Sequence, residues 1–225
     1  MEFKKKKKSF FYPVAYKKPN SLISEQYRNI RTNILFASAN KKIRSLVITS
    51  ANAGEGKTMT VVNIAIMFAK QGKKVLLVDA DLRNPNLHYV LHQENIFGLS
   101  NILLQDSHVE ECVKNTYIEN LSFLSSGSTS SNPAELLGSN MMYEFLSKAY
   151  INYDFVMFDT PPALGFADVK LLTNQCDASV LVVRSGKTEK KTALKAKELL
   201  NKSNGRLLGA ILNDKQERNI DYYYE

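Results

Sequence analysis

Apolar positions along this chain fall into two kinds of segment. Five short runs rich in Val, Ile, Leu and Phe, at 45–49, 75–78, 155–158, 179–183 and 207–212, are apolar continuously rather than at every second position. An alternating strand keeps one wet face, whereas a continuously apolar strand is covered on both, which predicts central strands of a parallel sheet. Between these runs the period lengthens. Ile23, Tyr27, Ile30 and Ile34 recur at spacings of four, three and four, which predicts a helix over 21–37. Val61, Ala65 and Phe68 mark one face of another helix over 58–70, with Gly72 placed to stop it. Strand, helix and strand repeated in this way imply an α/β fold, a doubly wound and mostly parallel central sheet with helices on both faces. The serine-rich stretch 125–131 reads as a surface loop, because Asn132-Pro133-Ala134-Glu135-Leu136-Leu137 restarts a helix.

With 225 residues and 44% hydrophobic side chains, the chain can bury one full core. The expected organisation is a flexible basic arm over 1–20, one domain over 21–213 and a flexible tyrosine-rich tail over 214–225. Charge sharpens that division. Seven lysines against the single acid Glu2 place +6 of the formal +8 in residues 1–20, so the remainder is nearly neutral. A near-neutral globule with a basic arm is a poor nucleic-acid platform, and no nucleic-acid partner is expected. No run approaches the roughly 20 apolar residues of a membrane span, and no secretory leader is evident, so the body is expected in the cytoplasm. Lys4 to Lys8, followed by Phe10-Phe11-Tyr12, read either as an electrostatic foot on an anionic membrane, at about 1 kcal/mol per lysine, or as an ordinary basic terminus. Cys112 and Cys176 lack partners at metal-ligand spacing and read as reduced and structural. His88, His92 and His108 read as packing residues, since no third ligand lies near the helically spaced first two.

The candidate chemistry begins directly after the first apolar run. Ala51-Asn52-Ala53-Gly54-Glu55-Gly56-Lys57-Thr58 matches the phosphate-binding loop, except that alanine replaces the first glycine. Gly54 and Gly56 let backbone N–H groups turn toward phosphate oxygens, Lys57 reaches the outer phosphates, and the Thr58 hydroxyl is a Mg²⁺ ligand. Ala53 through Met59 are therefore the expected nucleotide contacts. Two further strands run into acids, at Asp79-Ala80-Asp81-Leu82-Arg83 and at Asp159-Thr160-Pro161-Pro162. In open α/β sheets ligands sit at the carboxyl ends of strands, where Lys57, Asp79, Asp81 and Asp159 all fall. Three carboxylates beside a triphosphate are tolerable only with a divalent cation.

These three segments resemble the Walker A, Walker A′ and Walker B motifs of bacterial P-loop tyrosine kinases, over roughly residues 20–213. Glu25-Gln26-Tyr27-Arg28-Asn29-Ile30-Arg31 is similar to that family's oligomerisation motif, so Glu25, Arg28 and Arg31 are expected to join copies, in the family a ring. The resemblance also extends to the Asn132–Leu137 string and to Asn213, which resembles a strand-end asparagine that contacts adenine. It implies transfer of phosphate from ATP, with Mg²⁺, to protein tyrosine. Asp79 is the expected base, while Asp81 and Asp159 organise the metal, although Asp79 and Asp81 stand close enough to exchange duties. The expected acceptors are Tyr222, Tyr223 and Tyr224 in the tail, phosphorylated between subunits. A separate transmembrane activator, a peripheral place at the inner face of the membrane and control of extracellular polysaccharide synthesis are further implications. The rival reading is a partitioning or division-site ATPase, whose signature lysine would stand where this chain has Asn52.

Overall fold

In the computed structural model, which describes residues 12–37, 42–128 and 132–215, all five expected strands form. The strands are β1 (Ser45–Ser50), β2 (Val75–Asp79), β3 (Val113–Asn115), β4 (Leu121–Leu124), β5 (Phe155–Asp159), β6 (Ala178–Arg184) and β7 (Arg206–Asn213). They make one sheet in the order β3-β4-β2-β5-β1-β6-β7, parallel at every pairing except β3 with β4. β3 and β4 escaped the sequence reading for a physical reason: Val-Lys-Asn and Leu-Ser-Phe-Leu are too short and too polar to look apolar throughout. β3 is the edge strand and stays partly exposed, whereas Leu121, Phe123 and Leu124 of β4 are buried.

Alternation within each central strand decides which face a side chain joins. Leu46 and Ile48 of β1, Val75 and Leu77 of β2, and Phe155 and Met157 of β5 enter one buried cluster. Val47, Leu76, Val78, Val156 and Phe158 enter the other. Both faces are apolar because both are roofed by helices, which is why the strands read as unbroken runs.

The helices are α1 (Val14–Lys17), α2 (Leu22–Ala37), α3 (Lys57–Ala69), α4 (Leu87–Leu91), α5 (Leu99–Leu103), α6 (Val109–Cys112), α7 (Pro133–Leu137), α8 (Asn140–Asn152), α9 (Asp168–Gln175) and α10 (Lys190–Asn201). Helix α3 is buried on every side from Thr60 to Ala69, not on the single face expected from Val61, Ala65 and Phe68. The sheet covers one side, and α1 and α2 cover the other. Of the apolar positions expected to pack α2, Ile34 is buried and Tyr27 and Ile30 are partly buried, while Ile23 stays exposed.

The expected flexible arm over 1–20 needs correction for its second half. From residue 12 onward the chain is folded onto the domain: the Ala15 amide donates to Asn63 Oδ1 at 2.9 Å, and Lys70 Nζ donates to the Ala15 carbonyl at 2.7 Å. Tyr12 and Tyr16 pack edge-to-face against Tyr117, with ring centroids 5.7 and 4.8 Å apart. Apolar and aromatic contacts thus outweigh the lysines that suggested a solvated tail. Lys4 to Lys8, Phe10 and Phe11 lie outside the described residues, as do Tyr222, Tyr223 and Tyr224. Cys112 and Cys176 are free and buried. Among the described residues no helix is long and apolar enough to cross a membrane.

Candidate active site

Three neighbouring central strands deliver the chemistry to the carboxyl end of the sheet. β2, β5 and β1 lie side by side, Asp79 is paired in register with Asp159, and β1 runs straight into the phosphate loop. The Ala80 amide donates to the Asp159 carbonyl at 2.8 Å, which carries this alignment just past the end of β2.

The loop is braced from within. Glu55 is buried, and its carboxylate accepts from the Ala51 amide at 2.9 Å, the Asn52 side chain at 3.3 Å and the Thr188 hydroxyl at 2.6 Å. Its side chain therefore faces the fold, which leaves its backbone for a nucleotide. Arg184 Nη1 holds the Gly54 carbonyl at 3.1 Å, and Asn213 Nδ2 donates to the Glu55 carbonyl at 3.0 Å. Ala51 is not among the described positive-φ residues, so alanine can stand where the pattern has glycine. Gly56 does need to be glycine: its φ is +91°, and a Cβ there would meet Asn213 Nδ2 at 2.1 Å. The first residues of α3 follow at once, so its unpaired N–H groups and positive end face the loop.

Lys57 Nζ stands 3.5 Å from Asp81 Oδ2 and 4.0 Å from Asp159 Oδ1. Thr58 donates its hydroxyl to Asp159 Oδ2 at 2.6 Å. All three carboxylates are buried. Burial pushes Asp159 up to about 6, even though Lys57 and the Thr58 hydroxyl pull the other way. Asp79 is raised well above the usual carboxylate range, by burial first and then by the Asp159 charge, against the pull of the Leu87 amide. Asp79 Oδ2 also accepts from the Asn86 and Leu87 amides at 3.1 and 3.0 Å, so it anchors the start of α4 as well as facing the site.

A divalent cation fits this donor set. Asp159 Oδ1 is buried without a hydrogen-bond partner, and two carboxylates, Asp81 and Asp159, stand beside Lys57. No group of three His, Cys, Asp or Glu among the described residues forms a cage by itself. That suits Mg²⁺, which retains waters and takes only one or two carboxylates beside substrate phosphates.

The structure brings together Lys57, Thr58, Asp79, Asp81 and Asp159, and it sets Asn213 against the loop. It treats Glu25, Arg28 and Arg31 differently. Arg28 pairs with Glu25 and also donates to the Pro19 carbonyl, while Arg31 Nη1 donates to the Met67 carbonyl at 3.1 Å. Within one copy these side chains therefore tie α2 to the N-terminal segment and to α3. Sequence reasoning gave Arg83 no role, although it follows the acids directly. Here it grips the fully buried Asp168 through two nitrogens, at 2.8 and 3.0 Å. The signal was the arginine itself, but its partner lies 85 positions away.

Such a loop and such acids define a P-loop nucleotide-binding enzyme. The family model described as "AAA domain" matches residues 43–202. The chain is 50% identical to "Tyrosine-protein kinase YwqD" of Bacillus subtilis, over 94% of this chain and 90% of that protein. It is 39% identical to "Putative tyrosine-protein kinase CapB" of Staphylococcus aureus, over 97% of each. The crystal structure of the chimerical protein CapA2B2 superposes with a TM-score of 0.88 at 37% identity, covering 91% of this chain and 90% of that one. The chain belongs to the bacterial tyrosine-protein kinases of the P-loop type.

Proposed function

We propose that the chain transfers the γ-phosphoryl group of ATP to tyrosine hydroxyls on the C-terminal tail of a neighbouring copy. The observation that carries this reading is the set of three buried carboxylates at adjacent strand ends beside a phosphate loop, with Asp81 and Asp159 flanking Lys57 and Asp79 in register with Asp159. Lys57 and the loop amides hold the outer phosphates, and Asn213 borders the base. Thr58, Asp81 and Asp159 would hold Mg²⁺, which supplies charge neutralisation for the transferring group. Asp79 takes the phenolic proton. Tyrosine has a reference pKa of about 10, so its hydroxyl must lose a proton as it attacks, and burial makes Asp79 a better acceptor than an ordinary carboxylate. The O–H bond breaks, oxygen joins phosphorus, and ADP leaves.

Tyr222, Tyr223 and Tyr224 are the acceptors in this reading. From Asn213 to Tyr222 an extended chain spans roughly 30 Å, far enough to reach another copy. Each phosphate adds nearly two negative charges, which would loosen the assembly. Glu25, Arg28 and Arg31 would join copies into a ring. A transmembrane activator would hold the kinase at the inner face of the membrane, in the service of extracellular polysaccharide synthesis; similarity to proteins named CapB and CapA2B2 supports that setting.

Transfer between copies has a direct test. A Lys57→Met chain is mixed with an active chain whose Tyr222, Tyr223 and Tyr224 are phenylalanine, then given Mg²⁺ and ATP with and without activator peptides. Phosphotyrosine should appear on the Lys57→Met tail by mass spectrometry; an unlabelled tail under every condition excludes transfer between copies. In parallel, Arg28→Ala with Arg31→Ala should shift the unphosphorylated protein to smaller species on size exclusion.

A further inference from the structure

We propose that Phe166 and Arg83 form the acceptor-binding face of this site, the surface on which the ring of a tyrosine and its acidic neighbours dock; the proposal rests on the phosphotransfer reading above. Phe166 lies on the loop between β5 and α9, just after Asp159-Thr160-Pro161-Pro162. That loop runs beside the start of the phosphate loop: the Ala163 amide donates to the Ser50 carbonyl at 2.8 Å, and Thr49 Oγ1 donates to the Pro161 carbonyl at 2.9 Å. On its other side stands Arg83, two residues beyond Asp81. The loop therefore borders the phosphate loop, the end of β2 and the end of β5 together.

Two apolar side chains are left uncovered there. Phe166 is 43% exposed and Leu164 is 38% exposed. The Arg83 guanidinium lies over the Phe166 ring, 4.3 Å from its centroid. Arg83 is itself held rigidly, because Nε and Nη2 form a fork on Asp168, which is 0% exposed. An unpaired buried carboxylate would be destabilising, so this arginine cannot swing away freely. Its remaining nitrogen, Nη1, has no hydrogen bond among the described residues.

An exposed aromatic ring with an anchored, partly exposed cation beside it suits one occupant: a flat, apolar ring bearing negative charge nearby. Asp221-Tyr222-Tyr223-Tyr224-Glu225 has that composition. A serine or threonine would leave the ring uncovered, so this face would also favour tyrosine over aliphatic hydroxyls.

The test uses full-length kinase with its own three tail tyrosines changed to phenylalanine, and a peptide of residues 214–225 as acceptor. The KM for the peptide, kcat and the Kd for Mg·ADP are measured for this parent and for Phe166→Ala, Phe166→Tyr and Arg83→Lys. Phe166→Ala should raise the peptide KM about tenfold, with the Kd for ADP held within about twofold, and Phe166→Tyr should restore it. Arg83→Lys should raise the KM for the native peptide more than for one carrying Asp221→Asn and Glu225→Gln. A peptide KM unchanged in Phe166→Ala overturns the proposal while leaving the phosphotransfer reading intact. Parallel loss of ADP affinity and thermal stability in all three variants overturns it as well, in favour of a purely structural clamp. If the parent makes no phosphotyrosine on the peptide even with activator present, the phosphotransfer reading falls and this proposal falls with it.

Discussion

Asp159 makes the site's electrostatics measurable. Burial raises its carboxyl from the ordinary 3.8 to about 6, so between those values the folded state binds more protons than the unfolded chain. Stability from this group is fully present below about pH 4 and is lost as pH rises through 6. In metal-free buffer, Asp159→Asn should therefore gain stability relative to the parent at pH 7.5, by about 1–3 kcal/mol, and the difference should shrink toward pH 4. Urea unfolding at several pH values in EDTA checks the sign, and a gain that grows toward acid would contradict it. The same substitution should abolish phosphotransfer, because the charge that destabilises the empty fold is the one a cation requires. Gly56 offers a second probe. Gly56→Ala meets both a positive φ and the anchored Asn213 amide, and it should weaken Mg·ADP binding more than tenfold by calorimetry. Gly72→Ala, at a φ of +82° but with nothing within 4 Å, should leave that binding unchanged.

Helices α1, α2 and α3 behave as a stack whose order depends on a few polar side chains. Asn63 reaches out from buried α3, accepting the Ala15 amide through Oδ1 and donating Nδ2 to the Met59 carbonyl at 2.7 Å. Asn63→Ala should cost about 1–3 kcal/mol, since it leaves a buried amide without a partner. Trypsin should then cut faster after Lys17 than in the parent; Lys18 is protected by Pro19. Equal digestion rates would mean that the N-terminal segment holds on without this bond. The sequence showed α2 and α3 by their period. It did not show why α3 is buried all round, because the second layer, α1, is only four residues long and hides among lysines. For Glu25, Arg28 and Arg31, spacing along α2 fits a partner copy and α3 equally well, and only the packing reveals the bonds to Pro19 and Met67.

Ligand and fold should stabilise one another across the whole molecule. A nucleotide at a hundred times its Kd adds about 2.7 kcal/mol, which for a domain of this size is a rise in Tm of roughly 5–10 °C. Mg·ADP should produce that shift at pH 7.5, and ADP with EDTA a much smaller one, because three uncompensated carboxylates repel the phosphates. Equal shifts in scanning calorimetry would remove the cation from the site. Continuous apolar runs identified the five long strands, since a strand roofed on both faces has no polar alternative. The phosphate loop and the three aspartates were legible too, because a strand end that meets a triphosphate requires glycine, lysine and acid at fixed local spacing. Tertiary structure alone decided the order of the strands, the short β3 and β4 pair, the docking of residues 12–20, the bracing of the loop by Thr188 and Arg184, and the grip of Arg83 on Asp168. Those features join residues distant along the chain, where the choice of partner depends on packing geometry that a one-dimensional pattern does not contain.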